Sequence, residues 1–133
     1  MSVRIYLLSV FSFLICMGNL QAQEENNQFR RDYNYYSGYD GEKWTEWERT
    51  SVTLVFNYGV NSDVLKFTAN GERTLYRRVS NVENSSLENG EKCQFITVLD
   101  ENGNMLEIQL FENPDLGVKL IYGNFAIQLI KGN

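Results

Sequence analysis

Histidine is absent from this 133-residue sequence, and with it go the commonest general base near neutral pH and the commonest protein ligand for zinc. Ser-His and Cys-His nucleophile systems are therefore excluded, as are His-based metal sites. No glycine-rich phosphate loop of the P-loop or dinucleotide type occurs. Carboxylates remain: Asp40, Glu42, Glu46, Glu48, Glu107 and Glu112 are of the type that cleaves glycosidic bonds in pairs. Their spacing selects no pair, and glutamates alternating with apolar residues along strands read as a solvated face. Asp100-Glu101-Asn102-Gly103-Asn104 gathers oxygen ligands as a calcium loop does, but its glycine comes too early and Phe111 stands where the closing glutamate belongs. A hairpin turn accounts for that run. Cys93 reads as an inert, small buried hydrophobe. The expectation is a non-enzymatic chain with no catalytic residues, no metal site and no cofactor.

Aromatic residues are the better functional lead. Tyr33, Tyr35, Tyr36, Tyr39, Trp44 and Trp47 crowd one short stretch, and rings with a polar edge suit stacking on sugars or anchoring in a protein partner. Tyr36, Tyr39, Trp44 and Trp47 are the expected partner-binding residues. Trp44 and Trp47 lie three apart, so a regular strand would send one to the core and the other to solvent. The plainer alternative is that the tryptophans pack on the domain while the tyrosines thread a flexible arm. Lys66, Arg73 and Arg77 form a small basic stripe on the outer face of one expected hairpin, and Asn84-Ser85-Ser86 is a glycosylation acceptor in a eukaryotic secretory route.

Residues 1–22 have the order of a secretory signal: a charge at Arg4, an apolar run from Ile5 to Met17 broken by Ser9 and Ser12, and a polar exit ending at Ala22. The run is short for a mature membrane span, and Phe13-Leu14-Ile15-Cys16 departs from a lipoprotein signal at Ile15. Export to the periplasm, cell surface or medium is expected, with no stable membrane span after cleavage. Residues 23–41, polar and tyrosine-rich, read as a mobile or loosely docked arm, which leaves residues 42–133 as a single domain. Cys93 then stands alone, so no internal disulfide supports the fold. Twelve basic residues against seventeen acidic ones give a net charge of −5, which disfavours nucleic acid as a partner. A protein or glycan partner and a monomer are expected.

The elements that must position these residues follow from period. Beyond residue 42 apolar side chains recur at every second position, predicting strands over residues 43–48, 51–57, 63–69, 72–79, 92–99, 105–111, 117–122 and 125–131. Two-residue turns fix register. At Asn70-Gly71 this sets Phe67 opposite Thr74, Leu65 opposite Tyr76 and Asp63 opposite Arg78, the last as an ion pair. At Asn102-Gly103 it sets Leu99 opposite Leu106, Thr97 opposite Ile108 and Phe95 opposite Leu110. At Gly123-Asn124 it sets Tyr122 opposite Phe125, Leu120 opposite Ile127 and Val118 opposite Leu129. The long polar connection over residues 81–91 is the first place to look for a binding element, and Glu112-Asn113-Pro114-Asp115 reads as a turn. The fold class is all-β: an antiparallel meander of about eight strands, as a curled sheet or small barrel. Phe56, Phe67, Tyr76, Phe95, Tyr122 and Phe125 are expected to fill its interior.

The stretch from Trp44-Thr45-Glu46-Trp47 through Val55-Phe56-Asn57 to residues 117–124 resembles small uncharacterised exported β-rich proteins of Gram-negative bacteria. That resemblance implies an extracytoplasmic location and carries no activity. Gly41-Glu42-Lys43-Trp44 is similar to the Gly-x-Trp opening of lipocalins, with one residue more between glycine and tryptophan and with Lys131 where a late arginine belongs. It implies a calycin-like barrel carrying a small apolar ligand, the alternative to a binding module.

Overall fold

The computed structural model describes residues 27–132, so the expected leader over residues 1–22 lies outside the described residues. Nine antiparallel strands follow in order: β1 Phe29–Tyr39, β2 Glu48–Tyr58, β3 Asp63–Thr68, β4 Arg73–Arg78, β5 Glu83–Ser86, β6 Lys92–Leu99, β7 Met105–Phe111, β8 Val118–Tyr122 and β9 Phe125–Ile130. Strands pair with their chain neighbours, except that β1 also pairs β9 and β4 pairs β6. These two pairings close eight strands into a barrel. The short β5 runs along β6 beyond β4: Arg77 pairs Leu99, Val79 N–H donates to Thr97 O at 3.0 Å, and Glu83 to Ser86 then oppose Phe95 to Lys92.

The tyrosine-rich segment is a wall strand rather than an arm. Residues 29–36 pair β2, with a bulge between Tyr33 and Tyr35 that changes the register, and residues 35–39 also pair β9. Its polar composition hid this, but tyrosine suits a half-buried pleated surface, and Tyr33 is buried in the core. Of residues 43–48, expected as the first strand, residues 43–47 instead form the connection from β1 to β2, and Glu48 opens β2. Asp40 Oδ1 accepts the N–H groups of Glu42 and Lys43 at 2.9 and 3.0 Å, and Gly41 has φ +105°. That turn folds the chain back on β1, where Thr45 N–H donates to Gly38 O at 2.8 Å.

Two of the three expected registers are shifted by one residue. Asn70-Gly71 and Asn102-Gly103 belong to three-residue loops: Thr68 N–H donates to Glu72 O, Asp100 N–H donates to Asn104 O, and Gly71 and Gly103 take φ +87° and +84°. A type I turn followed by a left-handed glycine adds one residue to the loop, and one residue flips every side chain between faces. Val64 therefore opposes Tyr76, Val98 opposes Leu106 and Ile96 opposes Ile108 as the inward pairs. Phe67 and Phe95 point outward, and Leu65 is buried on the outer side of the wall beside Leu75. Asp63 makes no ion pair with Arg78; its Oδ1 accepts the Arg78 backbone N–H at 2.9 Å. Lys66 moves inward, its Nζ 5.7 Å from the Tyr76 ring, so the expected basic stripe is divided between the two faces. The Gly123-Asn124 hairpin has the expected register throughout.

The interior is filled. Tyr33, Leu54, Phe56, Val64, Tyr76, Val98, Ile108, Val118, Leu120 and Leu129 join one buried cluster, with Tyr122 packed at its margin and Phe125 46% exposed. Each such burial contributes about 1.5–3 kcal/mol relative to exposure.

Two predictions test this arrangement. A methyl group at Gly117, φ +63°, would sit 1.9 Å from Leu129 O, whereas one at Gly123, φ +48°, meets open space. Gly117→Ala should therefore cost ~3 kcal/mol or more in chemical denaturation, against ~1 kcal/mol for Gly123→Ala, and equal losses would contradict the close approach. Burial raises the pKa values of Tyr33, Tyr76 and Tyr122. Their folded values exceed the unfolded one near 10, so the stability they contribute is complete below about pH 10 and lost as pH rises beyond it. Tyrosinate absorbance near 295 nm should accordingly appear in part together with unfolding, not ahead of it.

Candidate functional site

Antiparallel pairing sends alternate connections to opposite ends of the barrel. One end carries the turns after β1, β3, β6 and β8; the other carries the start of β1, the β2 to β3 turn, β5 with its hairpin, the β7 to β8 turn and the residues after β9. The four aromatic residues singled out in the sequence belong to the first end.

Of these, Tyr36 is half-buried, packs on the core and donates from its hydroxyl to Glu48 Oε2 at 3.1 Å. Tyr39 and Trp44 lie ring against ring, 5.1 Å between centroids, and Tyr39 Oη donates to Gly41 O at 3.0 Å. Lys119 Nζ approaches the Trp44 ring at 5.3 Å. Trp44 thus has close neighbours while remaining 40% exposed. Trp47 is 47% exposed and has no ring partner among the described residues. Neither tryptophan is a core residue, contrary to the expected division, because residues 43–47 are not strand and their side chains do not alternate. The loop itself is anchored: buried Ser37 donates from Oγ to Thr45 O at 2.7 Å, and Gly38 N–H donates to Thr45 Oγ1 at 2.9 Å.

The opposite end holds a cleft of about 1030 Å³. Its lining includes Phe29, Arg31 and Tyr33 of β1, Asn84 and Ser86 of β5, Lys92 and Gln94 of β6, Leu110 and Glu112, and Lys131 after β9. Phe29, Arg31 and Tyr33 oppose the core residues Phe56, Leu54 and Val52, and Lys92 and Gln94 share the parity of the core residues Ile96 and Val98. Of these, Arg31, Lys92 and Gln94 are exposed inward positions at the mouth, while Phe29 and Tyr33 still pack with the core. Gln94 Nε2 donates to Asn84 Oδ1 at 3.3 Å, and Arg31 stacks 4.7 Å above Phe29. At the cleft edge Asp32 accepts from Thr53 Oγ1 at 2.6 Å and pairs with Arg30 at 2.9 Å, which together hold its carboxyl below the usual range.

Sequence reasoning missed these residues for two reasons. Arg31 lay in the segment read as an arm, and the shifted register at Asn102-Gly103 sent Lys92 and Gln94 to the wrong face. The signal was present in Asn preceding Gly three times, at Asn70, Asn89 and Asn102, each closing a three-residue loop. The 81–91 connection is one of these, a strand and tight hairpin in which Leu87 N–H donates to Glu91 O at 2.8 Å.

No family model, curated protein or solved structure matches the chain.

Cys93 is buried on the outer side of the wall, where Gln109 Nε2 donates to its Sγ at 3.4 Å. A thiol covered in this way should react with a disulfide reagent at least about a hundredfold more slowly in the native protein than in denaturant, since it is reached only through opening. Equal rates would place it at the surface.

Proposed function

We propose that this chain is an exported, non-enzymatic binding module that recognises a glycan or protein partner through the aromatic loop joining β1 to β2. The observation that carries this reading is Trp47, a large ring 47% exposed on a loop that hydrogen bonds from Ser37 and Gly38 hold to the barrel. Exposing a tryptophan forgoes a large hydrophobic stabilisation, and a rigid support lowers the entropy lost when that ring is covered by a partner. Trp44 has a positioning part, fixed between Tyr39 and Lys119, with Tyr36 and Tyr39 tying the loop base to β1.

Export rests on the signal-like order of residues 1–22, and it agrees with the resemblance to exported β-rich proteins of Gram-negative bacteria. The absence of histidine together with scattered carboxylates favours binding over catalysis. Carriage of an apolar ligand in a calycin-like interior is less favoured, because Leu54 and Leu120, which would line such a cavity, are fully buried in a packed cluster.

Trp47→Ala should weaken binding to a glycan found by array screening, or to a captured periplasmic protein, by at least about tenfold, leaving the melting temperature within about 2 °C of the parent. Trp44→Ala should lower both affinity and melting temperature, because its ring contacts are lost with it. Retained binding by Trp47→Ala would remove this reading.

A further inference from the structure

The cleft at the other end of the barrel has a chemistry of its own. The chain as a whole is acidic, yet this cleft is lined by Arg30, Arg31, Lys92 and Lys131 against two carboxylates, Asp32 and Glu112. Asp32 pairs with Arg30, accepts from Thr53 and also attracts Lys131 through space, so Arg31 and Lys92 are the cations it compensates least. Among the described residues Lys92 and Lys131 have no side-chain hydrogen bond or ion pair, and Arg31 uses one N–H, donating from Nη1 to the neighbouring Arg30 O at 3.2 Å. Stacking on Phe29 holds the Arg31 guanidinium plane and leaves its other N–H edges for a ligand.

Concavity matters here as much as sign. Charges gathered around a cleft with low-dielectric walls focus the field into it and favour an anion more than the same charges spread over a convex surface. The size of about 1030 Å³ is at the upper end for small-molecule sites. Asn84, Ser86 and Gln94 add neutral donors and acceptors at inward positions, while Tyr33 and Leu110 supply an apolar floor.

We propose that this cleft binds a multiply anionic small molecule bearing carboxylates or phosphates, held by Arg31, Lys92 and Lys131, with Asn84, Ser86 and Gln94 hydrogen-bonding its uncharged groups. Three cations converging from β1, β6 and the end of β9 select for ligands with more than one anionic group over monoanions. The site is separate from the aromatic loop, and neither depends on the other.

Calorimetric titration of the full mature chain with trigalacturonate and with myo-inositol hexakisphosphate separates carboxylate from phosphate sources. At least one should bind with one-to-one stoichiometry in about 0.05 M salt and weaken at least about threefold in 0.5 M salt. Lys92→Gln combined with Lys131→Gln should reduce that affinity at least about tenfold with the melting temperature unchanged, whereas Arg73→Gln combined with Arg77→Gln, on the outer wall, should leave it intact. Absence of binding by both probes, or equal loss in the two double variants, would overturn the proposal. Trp47→Ala should bind the anion as the parent does, so failure here and failure of the aromatic-loop reading are told apart.

Discussion

The barrel depends on a seam two residue pairs long. β4 meets β6 only at Arg77 opposite Leu99 and Arg78 opposite Val98, and without that contact the sheet would present two open edges. Unpaired strand edges are templates for association, and burying the interior of an open sheet would need another layer that the described residues do not supply. The seam is reinforced from both directions. Val79 N–H continues the ladder to Thr97 O, and β5 resumes pairing along the same edge of β6. Glu101 Oε2 accepts the Leu75 N–H at 3.3 Å, tying the turn after β6 to β4. Closure is thus distributed over a broken strand, which lets the wall open outward at β5 without losing continuity.

The strand order follows from this constraint and from short connections, and it was legible in the sequence wherever alternation was apolar. β6 and β7 have the bounds their period predicts, and the Gly123-Asn124 hairpin has its expected register. The two other hairpins were misread because Asn-Gly serves both a two-residue turn and the last two places of a three-residue loop. The pattern contained the correction: Val64, Ile96, Val98, Leu106 and Ile108 are β-branched or leucine at alternate positions, and a register placing all of them inward requires the longer loop. Aromatic residues drew the choice toward Phe67 and Phe95. Both rings are half-buried on the outer side, and Phe67 is covered there by the Arg73 guanidinium at 5.4 Å.

β1 was illegible for a different reason. A strand flanked by two others in a closed wall need not look apolar when its inner residues are tyrosine, which buries its ring and keeps a polar tip. Composition scored the segment as an arm; geometry needed it to join β2 to β9. The candidate sites inherit both errors. The aromatic loop was found as a cluster, but the division of its tryptophans between core and surface assumed a strand that the Asp40 turn prevents. The cationic cleft was not found at all, since it is assembled from single residues of β1, β5, β6 and the end of β9 that alternation alone cannot bring together.

The two ends of the barrel use one physical device in opposite ways. Where the strands reach the margin of the packed core, their inward positions face solvent and must be polar or be covered. At the β5 end they are Arg31, Asn84, Lys92 and Gln94, and the wall stays open above Tyr33. At the other end Tyr122 stacks on Phe125 at 4.8 Å and packs against the core that holds Tyr76, closing the interior with rings. A filled base closed by rings below an open, charged mouth means that a ligand entering the mouth meets a packed floor rather than a channel. Net acidity does not oppose this: screening confines each charge to about 8–10 Å at physiological salt, so the cleft responds to its own lining more than to the distant carboxylates.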